Sequence, residues 1–376
     1  MNADTEVAVA AESPTKKQKL TGPLIGTHNG HFHADEALAV FLLRLLPTYA
    51  SSPLVRTRDP SLLSTCHTVV DVGGEYSVDT NRYDHHQRDF STTFPARSTK
   101  LSSAGLVYKH FGHAIIAQQT GLDAGSPDVN VLYEKIYDDF IEAFDANDNG
   151  ISAYDSKALS AAGIIKRFED RGFSIASVVG RYNHERSTAS SESEPQEEKS
   201  KEQKQAEEDA RFLKASAFTG QQFLAELTDK HLSWLPARTI VRQCYADRQQ
   251  WDPAGRIMVL PHRNDGLPWS DHLYTAESEA QAAAGGEYPS HFQVLYVLFP
   301  ESGDADSKWR IRAVSVENGG FQNRKDLPDA WKGVRDEELD RASGISGCVF
   351  VHMGGFIGGN KTFEGALEMA RKAVEV

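Results

Sequence analysis

The chain has 376 residues, of which 40% are hydrophobic and 25% charged, with a formal net charge of −13; this is long enough for two globular domains. The longest apolar run, Ala37 to Leu43, is seven residues, far below the ~18 that a membrane-spanning helix needs. The negative charge argues against coating nucleic acid by charge alone, but it does not exclude a nuclease, because active-site metal ions supply positive charge locally.

Signals for localisation are expected in residues 1–21, which we predict to be a disordered tail. Lys16, Lys17 and Lys19 form a short basic cluster there, and such a cluster predicts nuclear import. The alternative is a tail that only aids solubility. The tail shows neither a secretory signal nor an Arg-rich mitochondrial presequence. Three separated cysteines without a paired motif indicate a reducing compartment.

Residues 22–183 form the first expected domain, in which strands and helices alternate. Strands are predicted at residues 23–26, 54–57, 68–72 and 82–86, and helices at 34–46, 102–111 and 131–144. Alternation at this spacing is typical of βαβ units and a parallel sheet. We therefore predict an α/β fold.

The densest polar cluster lies between the first predicted strand and the first predicted helix. Its side chains are His28, His31, His33, Asp35 and Glu36. In an open α/β sheet, the turn after a strand lies where ligands bind. Nitrogen and oxygen ligands together favour Mn²⁺, Fe²⁺ or Zn²⁺ over a pure Mg²⁺ or Ca²⁺ site. The alternative is a polar loop with surface histidines.

Further polar residues follow two later strands. Asp71 ends an apolar run and is expected at the end of a strand. Asp84, His85 and His86 follow the next predicted strand, where adjacent side chains point to opposite faces. We therefore expect one of the two histidines to face the same metal as Asp71. The other could reach substrate or support a ligand.

Two carboxylates follow the predicted helix at 131–144. Its apolar residues recur with helical period, and continuing that stripe places Asp145 and Asp148 on the buried face, just before Gly150. A buried carboxylate is costly unless it is paired or binds a metal. Either residue is therefore a candidate metal ligand.

Residues 184–211 are rich in Ser, Glu, Lys and Gln and nearly free of apolar side chains, which predicts a charged linker or insertion. Residues 212–376 then form a C-terminal α/β substrate-binding domain, expected to be the smaller of the two. Strands are predicted at 257–260, 291–299 and 309–316, and a closing helix at 362–376.

A glycine-rich run near the C terminus is predicted to be a turn that follows a strand and opens a helix. Backbone N–H groups at a helix start suit an anion, so His352, Gly354 and Gly355 are candidates for binding a phosphate or a terminal ribose. A tight packed turn is the alternative. A Walker A motif is rejected, because Asn360 replaces its glycine and too little chain follows for a nucleotide-binding sheet.

Three other side chains of this region have two possible roles each. Arg324 and Lys325 lie in a polar loop, where they either contact nucleic-acid phosphates or form surface ion pairs. Trp269 is either a stacking face for a base or a buried core residue.

Together, these motifs resemble the DHH phosphoesterase superfamily, named for an Asp-His-His run like that at 84–86. From about Ile25 onwards, the chain is similar to its metal-dependent protein hydrolase branch, which includes the melanocyte-proliferating-gene exonuclease. The segments that carry the resemblance are 26–36, 82–87, 101–108, 145–150, 268–273, 323–328 and 351–359.

The resemblance implies a 3′→5′ exonuclease that hydrolyses RNA in the nucleus and mitochondria with two divalent ions, most simply Mn²⁺, with Mg²⁺ as the alternative. Two such ions stabilise charge on the attacking and leaving oxygens. The implied ligands are His28 or its neighbours and His33 for one ion, Asp35, His85 and Asp148 for the other, and Asp71 as the bridge. It further implies that His86 orients the attacking water or a phosphoryl oxygen.

Three functions remain open from the sequence. The first is an exonuclease on RNA or short oligonucleotides. The second is a small-molecule phosphohydrolase that cleaves a dinucleotide or pyrophosphate with the same metals. The third is a non-catalytic metal-binding partner protein, which the intact ligand set disfavours. The sequence leaves the oligomeric state open, with a dimer as one possibility.

Overall fold

The computed structural model describes residues 21–169, 172–185, 199–285 and 293–376, so the basic cluster at 16–19 lies outside the described residues. The chain divides into two units, Met1–Glu226 and Leu227–Val376. This division falls beyond residues 184–211, the segment that composition marks as a linker. Among the described residues, no helix is long and apolar enough to cross a membrane.

A five-stranded sheet organises the first unit. Its strands are β1 (Ile25–Thr27), β2 (Leu54–Arg56), β3 (Thr68–Val70), β4 (Tyr76–Ser77) and β5 (Arg82–Tyr83). They lie in the order β2-β1-β3-β5-β4. All neighbours are parallel except β4, which is antiparallel to β5. This architecture confirms the predicted α/β class.

The helices of the first unit are α1 (Ala34–Arg44), α2 (Pro60–Leu63), α3 (Ser103–Thr120), α4 (Pro127–Ile136), α5 (Glu142–Asp148), α6 (Ser156–Ala161), α7 (Ile175–Tyr182) and α8 (Lys201–Asp229). Helix α1 is almost entirely buried, as its apolar sequence demands, and it ends shortly before Pro47. Helix α3 is followed by its C-cap Gly121, which adopts a left-handed conformation with φ 73°.

Helix α8 corrects the prediction of a linker over residues 184–211, because it begins at Lys201, inside that segment. Its later turns bury Phe212, Ala215 and Phe223. Once such a helix is anchored by apolar contacts, each added residue gains a hydrogen bond at little cost. The polar residues from 201 to 211 therefore extend a packed helix rather than form a linker.

The segment predicted as one helix over 131–144 is longer and interrupted. Helix α4 begins at Pro127, where the Ser126 hydroxyl accepts a hydrogen bond from the Asp128 N–H. This serine-proline start is a recognised helix signal. A π-helical turn, Tyr137–Ile141, joins α4 to α5, and such turns are frequent near functional sites.

The second unit contains a mixed sheet. Its strands are β6 (Ile257–Val259), β7 (Tyr296–Pro300), β8 (Trp309–Ala313), β9 (Cys348–Val351) and β10 (Ile357–Asn360), in the order β6-β7-β8-β10-β9. Its helices are α9 (Leu235–Ala246), α10 (Ser270–Ala283), α11 (Asp336–Ser343) and α12 (Phe363–Glu375). One apolar cluster joins the sheet to α11 and α12, and another joins it to α9 and α10.

The glycine-rich run differs from its prediction, because it is a β-hairpin and not a turn that opens a helix. After the turn, β10 pairs antiparallel with β8 on one side and β9 on the other. Gly358 and Gly359 lie inside this strand, where a Cβ would crowd the Phe350 carbonyl and Arg310 respectively. The absence of side chains here serves close strand packing.

Candidate metal centre

Three neighbouring parallel strands deliver polar side chains to one edge of the first sheet. His28 follows β1, Asp71 follows β3, and Asp84 and His85 follow β5. Because these strands are parallel, their carboxyl ends lie together. The first turn of α1 adds Asp35, and the end of α5 adds Asp148.

Asp71 lies between two histidines. Its Oδ2 is 3.3 Å from His28 Nε2, and its Oδ1 is 3.3 Å from His85 Nε2. The Asp71 backbone has φ 57°, a left-handed conformation that non-glycine residues seldom adopt and that clusters at functional sites. Each oxygen of this carboxylate thus faces a different group of candidate ligands.

The first group comprises Asp35, Asp71, His85 and Asp148, whose ligand atoms all lie within 4.8 Å of one another. His85 Nε2 is 2.8 Å from Asp148 Oδ2. The Ser103 hydroxyl donates to Asp35 Oδ2 at 2.6 Å, which fixes the orientation of that carboxylate. This group brings together four side chains that sequence reasoning proposed as ligands.

The second group comprises His28, His33 and Glu36. His28 Nε2 is 3.1 Å from Glu36 Oε1, and that same oxygen accepts the His33 N–H at 2.8 Å. Sequence reasoning counted Glu36 in the polar cluster but did not select it as a ligand. Its position next to Asp35 in the first turn of α1 was the available signal.

The carboxylates around His28 and His85 control their protonation. Burial lowers the pKa of His28, but its bonds to Asp71 and Glu36 outweigh burial and raise the pKa to about 10. Burial likewise lowers the pKa of His85, and Asp148 and Asp71 raise it to about 10. Both imidazoles are therefore protonated at neutral pH unless another cation replaces the proton.

The donor set fits divalent metal ions. Among the described residues, Asp35 Oδ1 and Glu36 Oε2 are buried without a hydrogen-bond donor. Burial, followed by the charges of Asp71 and Asp148, raises the pKa of Asp35 well above its usual range. Buried carboxylates packed this closely repel one another unless a cation lies among them. The mixture of imidazole and carboxylate suits Mn²⁺, Fe²⁺ or Zn²⁺.

Asp84 and His86 lie beside the first group. Asp84 Oδ1 accepts the His85 N–H at 2.7 Å and lies 2.7 Å from His86 Nδ1. Its Oδ2 accepts the Gly74 N–H at 2.6 Å. The His86 side chain is 61% exposed, which leaves its Nε2 edge accessible. Asp84 thus holds the segment and orients His86.

His31 and Asp145, two further candidate ligands, belong to neither group. His31 is exposed and lies against the ring of His33, with centroids 5.5 Å apart. Asp145 accepts hydrogen bonds from the Ser102 N–H, the Ser102 hydroxyl and the Tyr137 hydroxyl, at 2.8 to 2.9 Å. Burial raises the pKa of Asp145 to about 7 despite these bonds. Asp145 is thus bonded within the core, whereas Asp148 belongs to the first group of candidate ligands.

Side chains from distant parts of the first unit hold the loop between β1 and α1 through hydrogen bonds. The Asn183 side chain accepts the Phe32 N–H at 3.0 Å and donates to the Phe32 carbonyl at 2.8 Å. Arg56 donates to the Gly30 carbonyl at 2.8 Å, and its guanidinium is 3.3 Å from Asp209 on α8. Sequence reasoning missed both Asn183 and Arg56, because long-range hydrogen bonds to backbone atoms leave no local sequence pattern.

The residues of the second unit that are proposed to bind substrate differ in whether their polar groups already have hydrogen-bond partners. His352 is exposed, and its Nδ1 accepts the Gly354 N–H at 3.0 Å. The Gly355 N–H donates to the His352 carbonyl at 2.8 Å. The N–H groups of both glycines are therefore used within the turn. The His352 ring remains available to a ligand.

Arg324 and Lys325 have partners inside the second unit. Arg324 forms a bidentate ion pair with Glu277, at 2.9 and 2.6 Å. Lys325 Nζ donates to the Val374 carbonyl at 2.9 Å. Of the two roles considered from the sequence, Arg324 therefore forms an ion pair, although this pair is largely buried and not at the surface. Both cations stabilise the fold.

The fold and this arrangement of histidines and carboxylates define an α/β protein with a centre suited to divalent metal ions. The chain belongs to the MYG1 exonuclease family, since the model of that family, described as uncharacterised protein family UPF0160, matches residues 24–374. This confirms the predicted resemblance at the level of the family.

Relatives match over nearly the whole chain. The MYG1 exonuclease of Homo sapiens is 41% identical over 363 residues, covering 95% of this chain and 87% of the relative. The MYG1 protein C27H6.8 of Caenorhabditis elegans is 40% identical, covering 94% and 95%. Among solved structures, the match to a pGpG-specific phosphodiesterase from Vibrio cholerae covers 94% of this chain and 98% of that one, at 11% identity and a TM-score of 0.25.

Proposed function

We propose that this chain is a metal-dependent exonuclease of the DHH phosphoesterase superfamily that hydrolyses RNA from its 3′ end with two divalent ions, most simply Mn²⁺. Relatives that cover almost the whole chain are named exonucleases. The observation that carries the proposal is the position of Asp71, with one oxygen 3.3 Å from His28 and the other 3.3 Å from His85. One carboxylate can thereby serve two adjacent metal sites.

Each group of side chains has a distinct task in this proposal. Asp35, His85 and Asp148 would hold one ion, His28, His33 and Glu36 the other, and Asp71 would contribute to both. Divalent ions bound there would supply a Lewis acid for the phosphoryl oxygen and a lowered pKa for the attacking water.

In this proposal, His86 contacts the reacting group and His352 contacts the substrate away from the metals. His86 projects from the edge of the centre, with Nδ1 fixed by Asp84, so its Nε2 can contact the attacking water or a phosphoryl oxygen. A hydrogen bond of this kind acts on the reacting group. In the second unit, His352 offers an exposed ring that can contact substrate away from the metals.

The direct test is hydrolysis by the purified 376-residue chain with Mn²⁺. Substrates are RNA and DNA labelled at either end, dinucleotides and pyrophosphate. We expect mononucleotides released stepwise from the 3′ end of RNA. If only dinucleotides or pyrophosphate are cleaved, the chain is a small-molecule phosphohydrolase and not an exonuclease. Metal binding without any hydrolysis would favour a non-catalytic protein.

Import into the nucleus is a separate proposal, which rests on the basic cluster at Lys16, Lys17 and Lys19. Changing all three residues to Ala should move a fluorescent fusion out of the nucleus without changing its melting temperature. A fusion that stays nuclear would refute the role of this cluster.

A further inference from the structure

A cavity of about 520 Å³ lies in the second unit, beside the start of α10. Trp269, Tyr274 and Phe299 supply aromatic walls, and Arg312 and residues of the 315–320 loop also line the cavity. Small-molecule sites commonly occupy about 300–1,000 Å³ and combine apolar walls with a few polar groups. The cavity has the size and composition of a ligand site.

Arg312 is the cation that lines this cavity. Its guanidinium lies 4.9 Å from the ring centroid of Phe356, and it makes no hydrogen bond or ion pair with the described part of the chain. By contrast, Arg310 on the same strand is paired with Glu301, and Arg324 with Glu277. A half-buried guanidinium without a carboxylate is available to an anion.

The aromatic walls are held in place by the core. Trp269 and Phe299 are half-buried, and both pack against the apolar cluster between the sheet and α9–α10. The Tyr274 hydroxyl donates to the Ser315 carbonyl at 3.1 Å, which ties the wall to the loop. Rings fixed in this way offer a stacking surface at little entropic cost, and every nucleobase has a flat face to stack on them.

The ring of Phe356 links Arg312 to the hairpin turn. It contacts Arg312 on β8, and its centroid is 4.6 Å from that of His352. Phe356 therefore contacts both Arg312, which lines the cavity, and the exposed histidine that is assigned to substrate contact.

We propose that the cavity lined by Trp269, Phe299 and Arg312 binds one nucleotide of the substrate. The base stacks on the aromatic walls, and Arg312 contacts the attached phosphate. The claim that this nucleotide belongs to an RNA strand rests on the proposed function. The binding itself requires neither metal nor catalysis.

The test is calorimetry on the full chain with EDTA, with AMP and ribose 5-phosphate as probes. The wild type should bind AMP about tenfold more tightly than ribose 5-phosphate, a difference of about 1.4 kcal/mol. Trp269→Leu should abolish this preference, whereas Trp269→Phe should retain it. Arg312→Gln should weaken both probes by a similar factor. Arg335→Gln, at an exposed arginine outside the cavity lining, should change neither.

Equal binding of the two probes by the wild type would overturn the proposal. So would an unchanged preference in a Trp269→Leu variant with wild-type melting temperature. Should that variant fail to fold, Arg312→Gln decides, since unaltered AMP affinity there refutes the site. AMP binding without RNA cleavage would refute the exonuclease and leave the cavity proposal intact. RNA cleavage by a wild type that binds AMP and ribose 5-phosphate equally would support the exonuclease and refute the cavity proposal.

Discussion

Metal ions bound at this centre would compete with protons for the same nitrogen atoms of His28 and His85. The neighbouring carboxylates hold the pKa of each imidazole at about 10 against the opposing effect of burial. Because a metal ligand must be unprotonated, binding two ions should release about two protons. We expect the affinity for Mn²⁺ to rise from about pH 6 to about pH 8. Calorimetry in buffers of different ionisation enthalpy measures both quantities, and a pH-independent affinity without proton release would contradict the assignment.

His86 and His352 should differ in their kinetic effects. His86→Ala should lower kcat with little change in KM, because His86 can act only near the reacting phosphate. His352→Ala should raise KM and largely spare single-turnover cleavage at saturating enzyme, because its ring lies in the second unit. Neither change should alter metal content. The measurement is single-turnover cleavage of short RNA over a range of enzyme concentrations. The same kinetic defect in both variants, or metal loss in His352→Ala, would contradict this division.

At the scale of elements, the loop between β1 and α1 depends on Asn183 at the end of α7. Asn183→Ala removes both hydrogen bonds to the Phe32 backbone, which lies between His31 and His33. Partners that orient metal ligands typically contribute about 10- to 100-fold in affinity, so we expect the Mn²⁺ affinity to fall by about tenfold. Arg181→Ala, an exposed change on the same helix, should leave the affinity unchanged. Equal affinities in the two variants would show that the loop holds its shape alone.

Helix α8 limits which part of the charged segment can be replaced. Exchanging residues 187–198 for a Gly/Ser linker should leave cleavage within about twofold, because this polar stretch has little apolar surface to contribute to a core. Extending the exchange to 208 removes the first turns of α8. It also removes Gln205, which lies 3.4 Å from Asn29. We expect this longer exchange to lower both the melting temperature and cleavage. Equal behaviour of the two exchanges would show that the start of α8 is dispensable.

The elements that sequence predicted best are those whose pattern follows burial. Strands β1 and β3 match short apolar runs that the structure buries completely, whereas the apolar residues of β2 are half-buried. Strand β10 was mistaken for a turn, because its glycines serve strand packing and carry no side-chain pattern. The start of α8 was mistaken for a linker, because its polar residues are ordered by the apolar residues that follow them.

For the candidate site, the sequence supplied the side chains but not their partners. His28, Asp35, Asp71, His85 and Asp148 follow strand ends or lie at helix ends, where the order of elements alone brings them together. Choosing between Asp145 and Asp148 required the bonds that Ser102 and Tyr137 make to the former.

At the scale of the whole molecule, the net charge of −13 makes local cations decisive for binding an anionic substrate. Lys325 and Arg324 are occupied within the second unit. In the proposed function, positive charge at the reaction centre would come from bound metal ions, which an acidic protein can concentrate in a small region. This dependence makes metal content the quantity most closely tied to function.

The most direct test of two metal sites sharing Asp71 is elemental analysis after Mn²⁺ reloading, paired with RNA cleavage. The wild type should hold about two ions per chain. Asp71→Asn preserves side-chain size and tolerance of the left-handed backbone, yet it should lose most of both ions and at least about 100-fold in cleavage. Asp145→Asn, a buried carboxylate outside both groups, should keep both. Metal content and cleavage in Asp71→Asn equal to those of the wild type would contradict the shared centre.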